Sequence, residues 1–174
     1  MKRIPVLLMT LLLAAIMCAC TDTGDTVRNT DTKPSVIKAS DLSLNALLDS
    51  INDEAGISAD SVKDLKRISS AGELDRYYMI AEDEIVQFAG ERTGGTFDMT
   101  EIVIVEAVDE DTAEKLAIRL YSQLDAKQSN ARSYTPETAQ LLENSVAKCS
   151  GRFAYLVICE KQDAVVKLIE NAIG

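Results

Sequence analysis

The stretch EIVIVEAV, residues 101–108, decides the fold of this 174-residue chain. Its apolar residues occupy odd and even positions alike, so a strand formed here would be apolar on both faces, as a central strand of a sheet is. A second run of this kind is FAYLVIC, residues 153–159. We therefore expect two fully buried strands within one sheet.

The residues before EIVIVEAV predict a neighbouring strand. Residues 84–92 favour a strand, and residues 99–108 favour the next one. Gly94 and Gly95 lie in the connection between the two. Two strand patterns joined by a short segment that contains glycine favour a β-hairpin.

Apolar residues recur at helical spacing in the remaining segments. Ser43 is a suitable N-cap for a helix that Gly56 ends, and a second short helix is expected over residues 59–68. Residues 73–80 are ambiguous. Asp111 and Glu114 have the spacing of a capping box at the start of a longer helix. The buried stripe of that helix is predicted to be Ala113, Leu116, Ala117, Leu120 and Leu124.

Two further helices complete the pattern. Thr135 and Pro136 start the first, which is expected to direct Ala139, Leu142 and Val146 inward. The last helix carries four apolar residues on one face: Val165, Leu168, Ile169 and Ala172. The order of elements predicts an α+β fold, in which helices pack against a small sheet of three or four strands that includes an antiparallel hairpin.

The N-terminus has the pattern of an export signal. Lys2 and Arg3 precede an apolar run over residues 6–19 that only Thr10 interrupts. As a helix this run would span about 21 Å, short of the ~30 Å hydrocarbon core of a bilayer. A cleavable signal peptide is therefore favoured over a permanent transmembrane helix.

The end of that run resembles the bacterial lipobox, in which a small residue precedes a cysteine that becomes lipidated. Ala19 precedes Cys20, whereas the larger Met17 precedes Cys18. The resemblance implies a signal peptide over residues 1–19 and a lipid on Cys20. A signal peptide without lipidation is the alternative.

A lipid anchor accounts for the composition of the next segment. Residues 21–35, TDTGDTVRNTDTKPS, contain one aliphatic residue, Val27, and are expected to form a disordered tether. The predicted organisation is a signal peptide (1–19), a lipidated cysteine with its tether (20–35) and a single α+β domain (36–174). The domain would lie at the outer, extracytoplasmic face of the cell membrane, held there by its N-terminal lipid.

Composition excludes several classes of function. The chain has no histidine, which excludes histidine-dependent triads, histidine general bases and histidine-ligated zinc. Its net charge of −10 would become −12 on removal of Lys2 and Arg3 with the signal peptide. An acidic domain is a poor partner for nucleic acid. We expect no nucleic-acid partner, no metal site and no cofactor.

Two cysteines remain in the predicted domain. If residues 146–159 form a hairpin around Ser150 and Gly151, Cys149 lies near its turn and Cys159 near its far end. A disulfide needs Cα atoms within about 7 Å, so the pair would be too far apart to bridge. We expect two free and buried thiols.

Candidate ligand contacts are few. Arg119 and Gln123 share one helix face, beside the apolar stripe and near Tyr134. Arg119 either bridges carbonyls between its helix and the Tyr134 loop or grips an anion with its guanidinium fork. Tyr77 and Tyr78 mark either an interface or core packing.

Several segments together resemble a family of small lipoproteins from Gram-positive bacteria, domain of unknown function 4358. These are EIVIVEA at 101–107, Arg119 and Gln123 within IRLYSQL, YTPE at 134–137, and Gly151 before FAYLVIC. The resemblance covers residues 44–174. It implies a membrane-anchored, extracytoplasmic location and supplies no catalytic residues.

Three functions remain open. The anchor, the tether and the missing catalytic motif favour a non-enzymatic module that binds an envelope protein, the wall or a small ligand. A substrate-binding lipoprotein of a transporter is the alternative, although such proteins usually have two lobes and residues 36–174 are few for that. An enzyme that uses paired carboxylates or Cys149 is the third.

Overall fold

A computed structural model of the protein describes residues 40–95 and 99–174. The described residues lie in one compact unit. The helices are α1 (Leu44–Ala55), α2 (Ala71–Tyr78), α3 (Glu110–Ser129), α4 (Pro136–Asn144) and α5 (Gln162–Ile173). The strands are β1 (Leu65–Arg67), β2 (Ile85–Thr93), β3 (Glu101–Ala107), β4 (Val146–Ser150) and β5 (Phe153–Ile158). The predicted α+β class is confirmed.

All five strands belong to one antiparallel sheet, in the order β1-β2-β3-β5-β4. The strand formed by EIVIVEA is the central one, and every residue in it is buried. Val103 pairs with Gly90 on one side and with Leu156 on the other. The predictions of a central β3, a buried β5 and a β2–β3 hairpin are confirmed.

Each face of the sheet is covered by its own hydrophobic core. Val103, Val105 and Ala107 of β3 belong to the core that also includes the buried stripe of α3. Ile102 and Ile104 belong to the other core, together with buried residues of α1 and α5. Successive side chains of a strand point to opposite faces, so β3 can be apolar at nearly every position.

The prediction of three or four strands is wrong, because two short strands flank the sheet. The expected helix over residues 59–68 is replaced by turns and by β1, which pairs with Glu91–Thr93 of β2. The predicted helix through Val146 ends at Asn144, and Val146 begins β4. β1 is short and pairs with residues far along the chain, which local periodicity does not reveal. β4 and β5 form the hairpin around Ser150 and Gly151 that the sequence allowed.

The helix caps are largely as predicted. Ser43 and Thr135 accept hydrogen bonds from the backbone N–H groups of Ala46 and Thr138. Asp109, not Asp111, caps α3, because the helix begins at Glu110 and the Asp109 carboxylate accepts from the Thr112 N–H at 2.7 Å. The predicted apolar stripe of α3 is buried in full.

Predictions for the N-terminus fall on residues that the structure does not describe. The signal peptide over 1–19, the lipidated Cys20 and the tether to residue 35 therefore remain predictions. Among the described residues, none of the helices has the length and apolar composition that a membrane crossing requires.

Candidate functional site

Arg119 lies at the contact between α3 and the turn that precedes β2. Its guanidinium donates to both carboxylate oxygens of Glu84, at 2.5 and 2.7 Å, and to the carbonyl oxygen of Met79 at 2.8 Å. The hydrogen bonds from Arg119 hold the pKa of Glu84 below its usual range. Arg119 thus bridges to Met79 and Glu84 rather than to the predicted Tyr134 loop, and its fork already holds a carboxylate.

The other two predicted contact residues lie further along the chain on the same side of the sheet. Gln123 is half-buried on α3, one helical turn beyond Arg119. Tyr134 is half-buried and packs against the core that contains the α3 stripe. The structure therefore places all three residues on α3 or beside its core, but Arg119 makes its polar contacts with a different segment from the one predicted.

Met79 has an unusual backbone conformation. It follows α2 with φ 58° and ψ 38°, which is the left-handed region, and its N–H donates to the Asp75 carbonyl oxygen at 2.8 Å. Glycine is the residue that commonly ends a helix in this way, because a side chain is strained there. The Met79 side chain is nevertheless 58% exposed and gains little from core packing.

Two further large apolar side chains are exposed on α3, around the helix from Arg119. Ile118 is 65% exposed and Tyr121 is 54% exposed. Residues three apart on a helix are neighbours on its surface. Among the described residues, Met79, Ile118 and Tyr121 are the large apolar side chains exposed to this degree. Ile118 and Tyr121 share one flank of α3, and Met79 lies beyond Arg119 on the other flank. We call these three exposed residues the α2–α3 surface.

Of the two tyrosines that were candidates for an interface, Tyr78 lies in the interior and Tyr77 is half-buried against the core. Tyr78 is fully buried, and its hydroxyl donates to Glu101. Tyr77 packs edge-on against Tyr78, and the Arg92 guanidinium lies 4.1 Å from the Tyr77 ring centre. Core packing is the reading that the structure supports.

Two of the three buried carboxylates in the sheet are well paired. Glu101 binds the Tyr78 hydroxyl and the Lys127 ammonium group. Glu106 of β3 is fully buried and accepts hydrogen bonds from three other segments. Its donors are the backbone N–H and hydroxyl of Ser40, the Gln87 amide and the Arg152 guanidinium. Both carboxylates therefore stabilise contacts between separate elements of the fold.

The third buried carboxylate, Glu91, is less completely paired. One oxygen accepts from the Asn52 amide at 2.9 Å and lies 3.3 Å from Arg67 Nε. The other oxygen and the Asn52 amide oxygen are buried without a hydrogen-bond partner among the described residues. Burial raises the pKa of Glu91.

An open cleft of about 850 Å³ lies at the end of the sheet where β3 begins and β5 ends. Its lining has mixed charge and includes Lys63, Thr100, Glu137, Thr138, Cys159 and Lys161. Lys161 already donates to the Ala55 carbonyl oxygen at 2.7 Å. The cleft offers polar groups of both signs rather than one recognisable reactive group.

The two cysteines are free, as predicted, but only one of them is buried. Cys159 lines the cleft, and burial raises the pKa of its thiol to about 11. A thiol with this pKa is protonated at neutral pH and is a weak nucleophile. Cys149 is exposed on β4, contrary to the prediction that both thiols are buried.

A comparison with known families gives the relationship of the chain. The family model described as "Domain of unknown function (DUF4358)" matches residues 51–159. The chain belongs to this family. The resemblance inferred from EIVIVEA, Arg119, Gln123 and the Tyr134 segment is thereby confirmed as membership of DUF4358, while the lipoprotein character remains a prediction. No curated protein and no solved structure matches the chain.

The DUF4358 match includes the α2–α3 surface and all three contact residues predicted on α3 and near Tyr134. The sequence analysis did not single out Met79 or Ile118. Ile118 could have been found, because it is apolar yet lies outside the buried stripe of α3. Met79 has no such signal, because its conformation depends on where α2 ends.

Proposed function

We propose that the protein is a lipid-anchored module at the outer face of the cell membrane that binds another envelope protein through the α2–α3 surface. It acts by binding rather than by catalysis. The observation that carries the proposal is Met79, an exposed apolar side chain held in a strained backbone conformation against α3, the helix that also exposes Ile118 and Tyr121.

Strain of this kind persists only where the surrounding structure enforces it, and it is concentrated at functional sites. Arg119 and Glu84 hold the Met79 segment against α3. Methionine and tyrosine are both enriched where proteins meet other proteins. A prepared apolar surface of this type is suited to a protein partner.

The proposed lack of catalysis is supported by what the reactive side chains do. Glu101 and Glu106 are bound within the fold, Arg119 holds Glu84, and the Cys159 thiol is neutral. The anchor is supported by the lipobox pattern before Cys20.

Crosslinking in intact cells tests the binding surface. A photoreactive phenylalanine at Tyr121 is expected to capture one envelope protein when the sample is irradiated. The same group at Glu54, an exposed residue of α1, serves as the control and is expected to capture none. Equal capture at both positions, or no capture at Tyr121, would contradict the proposal.

Cell fractionation tests the anchor separately. Cys20→Ala is expected to move the protein from the membrane fraction to the medium or to leave it with an uncleaved signal. Cys18→Ala is the matched control, because it removes the neighbouring cysteine and keeps the lipobox. If both variants stayed in the membrane as mature, lipidated protein, the assignment of Cys20 would be wrong.

The cleft favours one second candidate, a substrate-binding lipoprotein. Its volume lies in the range of small-molecule sites. We expect a solute that binds there to raise the melting temperature and to slow alkylation of Cys159. A solute library that changes neither quantity would count against this candidate.

A further inference from the structure

The charges around the α2–α3 surface are the basis for an inference about its partner. Glu114 lies four residues before Ile118, and Asp125 lies four residues after Tyr121, so both carboxylates share this face of α3. Both side chains are exposed, and neither forms an ion pair among the described residues. The apolar centre is therefore bordered by carboxylates along the helix axis.

A second pair of exposed carboxylates follows Met79 closely in the chain. Glu82 and Asp83 are exposed and directly precede Glu84, the partner of Arg119. Neither forms an ion pair among the described residues. The cations near these carboxylates are already engaged. Arg119 is held by Glu84, Lys115 lies near Glu84 and Asp109, and the exposed Arg76 of α2 lies against the Tyr77 ring.

We propose that the partner presents a basic segment to the α2–α3 surface. The inference rests on the proposed function, since it names the chemistry of the partner at that same site. An apolar side chain of the segment packs on Ile118 and Tyr121, and flanking lysine or arginine side chains pair with the bordering carboxylates. Complementary charge of this kind speeds encounter and selects among partners.

The spacing of the carboxylates constrains that segment. Glu114 and Asp125 are eleven residues apart on α3, about 16 Å at the helical rise. Two cations of the partner span that distance when they are about eleven residues apart in a helix or about five apart in an extended strand. A second copy of this chain fits poorly, because antiparallel pairing of two α3 helices would bring Glu114 close to Asp125.

Titration with synthetic peptides tests the preference for basic chemistry. The probes are two amphipathic peptides with the same leucine face, one with lysine and one with glutamate on the polar face. The protein sample is Val36–Gly174, the unit that contains both cores. We expect the lysine peptide to shift amide signals around Ile118 and Tyr121, to bind at least tenfold more tightly than the glutamate peptide, and to bind more weakly as salt rises.

Two matched double variants distinguish binding at this surface from non-specific attraction of a basic peptide to an acidic protein. Glu114→Gln with Asp125→Asn is expected to weaken binding of the lysine peptide at least threefold. Asp53→Asn with Glu54→Gln removes the same two charges from exposed positions of α1 and is expected to leave binding unchanged. An equal loss in both variants, or equal binding of the two peptides, would overturn the inference.

The segment captured by the photoreactive group at Tyr121 distinguishes this inference from the proposed function. A captured segment with flanking lysine or arginine and a central apolar residue supports both. A captured segment that is neutral or acidic overturns the inference and leaves the proposed binding surface standing. No capture overturns both.

Discussion

Met79 has a conformation that its residue type disfavours. A non-glycine residue in the left-handed region costs roughly 1 kcal/mol, and Met79 lies there with most of its side chain in solvent. The strain is tolerated because the backbone around it is held at both ends, by the hydrogen bond to Asp75 and by the one from Arg119.

Met79→Gly is therefore expected to stabilise the protein and to weaken its function. Relief of strain should raise the free energy of unfolding by about 0.5–1 kcal/mol in urea denaturation. Loss of the side chain should reduce capture of the partner by the group at Tyr121. Asp64, the other non-glycine residue described in this region (φ 59°), gives the matched control, since Asp64→Gly should leave capture unchanged. Undiminished capture by Met79→Gly would argue against a role for the side chain.

Glu91 illustrates the cost of a buried carboxylate that is only partly paired. Its pKa is raised by burial, so the folded protein binds a proton more tightly than the unfolded chain does. Such a group lowers the stability of the folded state above its unfolded pKa, and this cost disappears as the pH falls to that value.

Glu91→Gln is expected to stabilise the protein by about 1 kcal/mol at pH 7. The new amide provides a donor in a place where buried oxygens of residues 52 and 91 lack one. The gain should shrink towards pH 4, in urea denaturation followed across that range. Glu101→Gln is the control and should destabilise, because Glu101 is paired with Lys127. A loss of stability in Glu91→Gln at pH 7 would show that the contact with Arg67 outweighs burial.

At the scale of elements, the Arg119–Glu84 pair connects α3 to the entrance of β2. The geometry is bidentate, and both side chains are half-buried. Pairs of this type are stronger than single exposed ion pairs. This contact also positions Met79, so the stability of the fold and the shape of the α2–α3 surface depend on the same residues.

We expect Arg119→Ala to lower the free energy of unfolding by about 1–2 kcal/mol, and a double-mutant cycle with Glu84→Gln to give a coupling of about 1 kcal/mol. The contribution of the Arg119–Glu84 pair to the free energy of unfolding should be complete above the pKa that Glu84 has in the unfolded chain. It should be lost as the pH falls through the lower pKa that Glu84 has in the folded protein. The exposed pair Arg67–Asp49 is the control, with weaker coupling expected. Unchanged stability in Arg119→Ala would instead favour the alternative hypothesis that Arg119 binds an anionic ligand.

At the scale of the whole molecule, the DUF4358 match is narrower than the unit that folds. Residues 51–159 contain the sheet and α3, but they omit most of α1 and all of α5. Those two helices cover the face of the sheet formed by Ile102, Ile104, Tyr155 and Val157.

A fragment of residues 51–159 is therefore expected not to fold cooperatively. Uncovering one face of the sheet removes the burial that offsets chain entropy. Thermal melts followed by circular dichroism should show a cooperative transition for 36–174 and none for 51–159.

A chain that starts at residue 43 is an informative intermediate. It keeps all five helices but loses the hydrogen bonds of Ser40 to Glu106, so it should fold with reduced stability. A cooperative melt of the fragment would show that one core suffices.

Local patterns predicted most of the helices and the three long strands correctly. Ser43 and Thr135 cap helices because their hydroxyls are within reach of nearby N–H groups, an interaction confined to a few residues. The sequence pattern was less informative where two residues of one type could each be the N-cap, as Asp109 and Asp111 could at the start of α3. It did not reveal β1, which is short and depends on pairing with distant residues. For Val146 it left two possibilities open, the end of α4 and the start of a hairpin, and the structure has the hairpin.

The sequence by itself determined the fold class, the buried centre of the sheet, the apolar face of α3 and the membership of DUF4358. The first three follow from periodicity and composition over short windows, which the 2-residue and 3.6-residue repeats convert directly into faces. The membership follows from the family model that matches residues 51–159. Only the tertiary structure decided the partners of Arg119 and the buried carboxylates, the fifth strand and the exposed surface around Met79. Each of these depends on groups far apart in the chain that only the packed fold brings together.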